Sequence, residues 1–455
     1  MELFIILNNM KKILLALALI GVFLPVSSAR AYMYPGLGVK KVAAVLFNFS
    51  NNPTSTPLTI SEVKSAIFSP SNSVKSFYSE ASFEKIILQG KEAATTGDVF
   101  GWYTVNFPYG LDFCREIGNV FSDDSKFKDL VDKVKASGHD LSVGYDAVFF
   151  LLAVPGNCDP PRWAGRTTVT LPMTQVWISA NDLSFSTPLS RLESTTVLAH
   201  ELGHGFELGH TNTYYCFDAG VLGSGSASWG TPSQCESREY GDRTTLMGGS
   251  DFARNLNSFH KLLLGWLTSS ANEIVVTNSS QNGTYTIRPS EKLYAGVADK
   301  KLIRILNFDQ DYPNKGLFVD YRQPIGVDAA VYDGTVLQEP EISGVRIYYS
   351  QNLVPGGLIN SSIAKTHALG FSGSSELWGE NDYLHIGKSL VIPKSGIKIT
   401  TISQTTDIAQ IKIEYPTAVV TTPTTGAILT GTVPITAQTT GAFSAIRFTQ
   451  DNSWM

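Results

Sequence analysis

His200-Glu201-Leu202-Gly203-His204-Gly205-Phe206-Glu207-Leu208-Gly209-His210 holds three of the chain's seven histidines within eleven residues. His200 and His204 are four apart, so a helix projects both from one face, one turn apart. That spacing sets two imidazoles at metal-binding distance, with Glu201 beside them, placed to act on water and not to ligate. His210 follows His204 by six residues, where a continued helix would carry it away. The chain must therefore turn sharply, and Gly205 and Gly209 supply the freedom to do so. Three neutral imidazoles with one position left open make a catalytic type of zinc site, whereas a structural site is closed by a fourth protein ligand. Incidental histidines on an ordinary helix are a poor account of four matched positions.

Working upstream, the helix has a clear beginning. Thr187 can cap it and Pro188 suits the first helical position. Leu189, Leu192, Thr196 and Ala199 mark one face, and nothing breaks the run before Gly203. Further back, continuous apolar runs predict strands at 42–47, 85–89, 100–105 and 146–154, with one more, at a sheet edge, over 167–179. Helices are predicted at 61–68, 73–82 and 123–137, the last with Phe127, Leu130, Val131 and Val134 on its apolar side. Strands alternating with helices indicate an α/β layered structure.

Downstream stand Glu239-Tyr240-Gly241-Asp242-Arg243-Thr244-Thr245-Leu246-Met247-Gly248 and Leu256-Asn257-Ser258-Phe259-His260-Lys261-Leu262-Leu263-Leu264-Gly265-Trp266-Leu267. With the histidines, these segments resemble the gametolysin family of secreted metallopeptidases. That family belongs to the metzincins, whose motif is H-E-x-x-H-x-x-G-x-x-H followed by a methionine turn. The resemblance covers roughly residues 41–266 and continues more weakly through Gly316-Leu317-Phe318-Val319-Asp320-Tyr321-Arg322. It implies one catalytic Zn2+, endopeptidase activity and action outside the cell. It makes His200, His204 and His210 the zinc ligands, Glu201 the catalytic base, and Met247 the apolar floor beneath the metal. The family glycine between the second and third histidines is Glu207 here. If that position is left-handed, a side chain there costs about 1 kcal/mol; otherwise the turn shifts to Gly209. Metzincins that carry a Tyr two residues after the Met use it near the metal, but here that position is Gly249. Tyr240 and His260 could stabilise an oxyanion, although structural roles are the plainer reading of both.

The fold expected is α+β: a metzincin-like zincin catalytic domain, a twisted mixed sheet plus the active-site helix, followed by an all-β domain and a partial Ig-like module. The catalytic domain is placed at 35–272. Past 272 short β-rich runs dominate, giving a β-rich domain over 273–416 as a sandwich or small barrel. A Thr/Pro linker follows at 417–425, then a β module at 426–455 too short for a whole Ig-like sandwich of roughly 100 residues.

At the N-terminus Lys11-Lys12, an apolar run to Val26 and Ala29-Arg30-Ala31 have the layout of a secretory signal peptide over 1–31. Export permits disulfides. Cys114, Cys158, Cys216 and Cys235 allow three pairings. Cys216 and Cys235 flank a Gly/Ser-rich loop and look like a local staple, which leaves Cys114 with Cys158. Asp309 and Asp311 could serve Ca2+ but lack a full loop motif, so a solvated turn is expected there.

The remaining composition excludes several classes. The net charge is −5 with 16% charged residues, against ~25% in a typical soluble domain. That argues against a disordered chain, a coiled coil, and nucleic acid as the main partner. Protein or peptide substrates are the partners expected, with no stable membrane insertion after leader cleavage. The reading is a secreted zinc endopeptidase acting on extracellular or cell-wall proteins. The alternative is a surface adhesin or binding protein on an inactive metallopeptidase fold. A metal-dependent hydrolase of non-peptide amides shares the same chemistry.

Overall fold

A computed structural model describes residues 33, 36–106, 124–153, 164–169, 173–216, 235–250, 252–306, 316–329, 343–350, 366–369, 383–392, 395–440, 449–450 and 453–454 of the 455. The leader expected at 1–31 lies outside the described residues, as do Cys114, Cys158, Asp309 and Asp311.

The first half runs β1 (Gly38–Phe49), α1 (Ile60–Phe68), α2 (Val74–Ala81), β2 (Ile86–Gln89), β3 (Asp98–Val105), α3 (Asp124–Ala136), β4 (Ala147–Leu152), β5 (Gly165–Val169), β6 (Thr174–Ser179) and α4 (Pro188–Gly205). Its six strands form one sheet in the order β2-β1-β4-β6-β5, with β3 also on β1. All pairings are parallel except β5 on β6, so the sheet is mixed and β5 is its antiparallel edge. The segment expected as one edge strand over 167–179 is two strands. Pro172 cannot donate to a ladder, and only β5 is at the edge.

Alternation along the strands builds two cores. Val42, Ala44 and Leu46 of β1 face α1, α2 and α4. Ala43, Val45 and Phe47 face α3 through Leu130 and Val134. A strand buried on both faces reads as a continuous apolar run, as 42–47 does.

The second half runs β7 (Thr211–Cys216), β8 (Cys235–Arg238), α5 (Ser258–Leu263), α6 (Ser269–Asn272), β9 (Glu273–Val276), β10 (Gly283–Ile287), β11 (Leu302–Ile305), β12 (Gly316–Arg322), β13 (Gly344–Ser350), β14 (Thr366–Leu369), β15 (Ser389–Val391), β16 (Lys398–Gln404) and β17 (Ala409–Glu414). A seven-stranded sheet, β8-β7-β14-β13-β12-β11-β9, and a four-stranded sheet, β10-β17-β16-β15, share one apolar core. The larger sheet crosses the boundary expected at 272/273. Its β7 and β8 precede that point in the chain, and β7 pairs in parallel with β14, Thr211 opposite Thr366.

The other face of that sheet is charged and still buried. On β12 Leu317, Val319 and Tyr321 enter the shared core, while Phe318, Asp320 and Arg322 point the opposite way, towards α5. Arg322 is fully buried between Glu291 and Asp328, 2.7 Å from the latter. Asp320 accepts from Ser258 Oγ at 2.6 Å. On β13, buried Arg346 reaches buried Asp242 at 2.9 Å.

Residues 417–425, expected as a linker, carry β18 (Thr417–Thr422), which pairs antiparallel with β19 (Thr436–Thr440). Two short strands follow, β20 (Thr449–Gln450) and β21 (Ser453–Trp454). Residues 441–448 of the β module expected at 426–455 lie outside the described residues. No helix among the described residues is long and apolar enough to cross a membrane.

Candidate metal centre

Helix α4 starts as its sequence dictates. Thr187 accepts from the Ser190 amide, Ser190 returns the bond to Thr187 N–H, and Pro188 fills the first turn. This reciprocal cap satisfies two amides that a helix start leaves bare.

The helix end solves the turn that His210 needs. The Glu207 amide donates to His204 O at 2.9 Å and the Leu208 amide to Gly203 O at 3.2 Å. This is the paired bonding of a Schellman cap, which requires a left-handed residue between. Glu207 takes that conformation at φ 64°. The turn therefore stays at the position of the family glycine, and a side chain sits there at a cost of about 1 kcal/mol. Burial of Leu208 against the core supplies the apolar contact that accompanies such caps. The Glu207 carboxyl is half-buried, which pushes its pKa up.

The result brings the three histidines together. One nitrogen from each of His200, His204 and His210 lies within 4.8 Å of the others, and no other such group occurs among the described residues. Nε2 of His204 and Nε2 of His210 are 3.0 Å apart. Ligands ~2.0–2.1 Å from a tetrahedral ion stand about 3.3 Å from one another, so the donor set fits zinc. Each ring is oriented through its other nitrogen. Nδ1 of His200 donates to Leu246 O, Nδ1 of His204 to Leu208 O and Nδ1 of His210 to Glu239 Oε1, all at 2.8 Å. With Nδ1 carrying the proton, Nε2 is left with its lone pair free for a metal. Burial pushes the His200 pKa down to about 3, and the nearby His204 adds to this. The ring is thus neutral, the form that ligates.

Glu201 follows His200 on α4 and lies against the edge strand β5. Its residue is 8% exposed, and Thr167 on β5 donates to its Oε2 at 3.1 Å and to its carbonyl at 2.6 Å. Burial pushes its pKa up to about 7, while the Thr167 bond pulls the other way. Gly165 lets the edge strand come this close, since a Cβ there would stand 2.4 Å from Glu201 Cγ.

Met247 is fully buried under the helix. A Cβ on Gly203, between the two helical histidines, would stand 2.4 Å from its sulfur. The Met247 carbonyl accepts from Thr211, the residue after His210, at 2.8 Å.

The comparisons with known proteins are few. No family model matches the chain, and no curated protein does. A solved structure of archaemetzincin from Methanopyrus kandleri is similar at 17% identity and a TM-score of 0.25, over 50% of this chain and 94% of that one. A likeness that distant carries no argument about the chemistry here, which rests on the geometry above.

Glu239, which the sequence expectation missed, joins the site, as does Tyr240, for which a structural role was the plainer reading. Glu239 orients His210, and no local spacing announces it, because it arrives on the turn after β8. Tyr240 lays its ring over His210, with centroids 3.9 Å apart, and stands 5.9 Å from the ring of His200. Burial, with the charges of Glu239 and Glu201, pushes its pKa up to about 12. His260, by contrast, is fully buried on α5, its ring beside Phe259.

The Glu239 contact makes a testable prediction. Partners that orient a ligand typically contribute 10–100-fold to metal affinity. Glu239→Ala should weaken zinc binding by about that factor with little change in melting temperature, as read by competition with a chromophoric chelator. Unchanged affinity would mean that His210 needs no orienting carboxylate.

Proposed function

We propose that the protein is a zinc-dependent endopeptidase of metzincin type. The observation that carries the reading is the convergence of three Nδ1-anchored histidines with a buried carboxylate at Glu201. His200, His204 and His210 would hold the ion through Nε2. A zinc ion there supplies a Lewis acid for the peptide carbonyl and acidifies water. Glu201 takes a proton from the attacking water and returns it to the leaving amine, a role for which a pKa near the working pH is best suited. Thr167 and the close packing of Gly165 hold that carboxylate in place. Met247 fills the space beneath the ligands and keeps the helix seated on the turn that follows His210.

The secretory leader, extracellular or cell-wall substrates and the disulfides belong to the same reading. For Cys216 and Cys235 the support is backbone register, since they stand opposite each other where β7 meets β8. Opposed residues of an antiparallel pair have Cα atoms ~4.5–5.5 Å apart, within the ~4.4–6.8 Å that a disulfide spans.

The test is proteolysis of casein or gelatin with and without a chelator, alongside metal analysis. Hydrolysis that a chelator abolishes and zinc restores, at one zinc per chain, is the expected result. A fully metallated protein that cleaves neither substrate would leave the binding-protein alternative standing.

A further inference from the structure

We propose that Tyr240 is a catalytic residue whose phenol donates a hydrogen bond to the oxyanion developing on the scissile carbonyl, because its ring lies over His210 and beside His200, with its hydroxyl unengaged among the described residues. This inference rests on the peptidase reading given above.

The placement begins with the backbone. Tyr240 is left-handed at φ 59°, a conformation that costs a non-glycine residue about 1–2 kcal/mol. It persists because both ends of the residue are held. The Tyr240 amide donates to Asn212 Oδ1 at 3.2 Å, and its carbonyl accepts from the Gly249 amide at 2.8 Å. Those anchors sit on β7 and just past Met247, the two segments that also frame His210. Strain that the surroundings enforce in this way collects at functional sites. Its effect here is to send Glu239 and Tyr240, neighbours in sequence, onto the same histidine. Glu239 takes the Nδ1 edge of His210 and Tyr240 takes the ring face.

Packing does not account for the side chain. Tyr240 is 43% exposed, whereas the aromatic residues that stabilise this fold, such as Tyr78 and Trp266, are fully buried. Among the described residues its hydroxyl has no hydrogen-bond partner. A phenol beside the three histidines, open to solvent and without a partner among the described residues, is an available donor to a carbonyl held there. Pre-positioned donors of this kind contribute most when charge develops on the carbonyl oxygen.

Tyr240→Phe separates the hydroxyl from the ring. The variant keeps the stacking on His210, so fold and metal content should match the parent. The expected result is a fall in kcat of about 10–100-fold with KM within about threefold. The metal-loaded variant should also lose affinity for a phosphinic peptide, which mimics the tetrahedral oxyanion, by a similar factor in calorimetry. In a Glu201→Gln background, Tyr240→Phe should leave affinity for the uncleaved peptide unchanged. A Tyr240→Phe protein with parental kcat and parental phosphinate affinity overturns the proposal and leaves the peptidase reading intact. A parent protein that holds zinc but neither cleaves peptides nor binds the phosphinate overturns both.

Discussion

Glu201→Gln should keep one zinc per chain and lose peptide hydrolysis by about 10²–10⁴-fold, the usual contribution of a positioned proton-transfer group. Glutamine has the shape of glutamate, so the Thr167 bond and the fit against Gly165 are preserved. What disappears is basicity. The three histidines are anchored through Leu246, Leu208 and Glu239, none of which the substitution touches. Stability should not suffer either. Burial raises the Glu201 pKa from 4.5 to about 7, so the folded metal-free protein holds that proton more tightly than the unfolded chain does. For this group stability is fully present below the unfolded value and declines as pH rises towards about 7. Glutamine removes the decline. Turnover and metal content measured on the same preparation decide the matter, and parental turnover by the variant would sink the mechanism.

Arg346→Met should destabilise the protein by about 3–5 kcal/mol, the cost of leaving one member of a buried ion pair uncompensated. Asp242 and Arg346 are both fully buried, 2.9 Å apart. Methionine fills the space but supplies no charge. Among the described residues Asp242 keeps the amide and hydroxyl of Thr244, both on Oδ1. The consequence reaches the metal, because the Asp242 amide bonds Thr211 and Thr211 bonds Met247. Zinc affinity should therefore fall together with the denaturation midpoint. The double variant with Asp242→Asn removes the stranded charge and should recover a good part of the loss. Denaturant titration of the two variants tests this, and a loss below about 1 kcal/mol in Arg346→Met would show that the pair is no anchor.

The centre was legible because its chemistry is local. Histidines one helical turn apart, a Thr-Pro start and glycines near the end point to the helix and to the histidine cluster from local spacing alone. Glu207 marks the limit of that kind of reading. A glutamate does not advertise a left-handed turn, and only the bonds from Glu207 and Leu208 place it there. The split of 167–179 into β5 and β6 could have been read from Pro172. The charged layer could not. Alternation of Leu317, Val319 and Tyr321 with Asp320 and Arg322 is the usual mark of a strand with one wet face. Here that face is dry, because α5 and the segment around Asp242 cover it, and their partners lie far away in sequence. Glu239 was hidden for the same reason. Membership of β7 and β8 in a sheet made mostly of later strands depends on β14, which a shift in texture at 273 does not reveal.

The parallel pairing of β7 with β14 also bears on when the centre can exist. During synthesis His210 is made before the chain is half complete, but the strand that begins at the next residue has its neighbour at Thr366–Leu369. Arg346, which holds Asp242 beside the Met247 turn, also emerges late. Contacts this distant in sequence close slowly, after the loop between them has been ordered. A nascent chain thus carries the three histidines for about a third of its synthesis, from residue 210 to residue 366 of 455, without the framework that sets them. The order of assembly defers completion of the histidine centre until most of the polypeptide has been made.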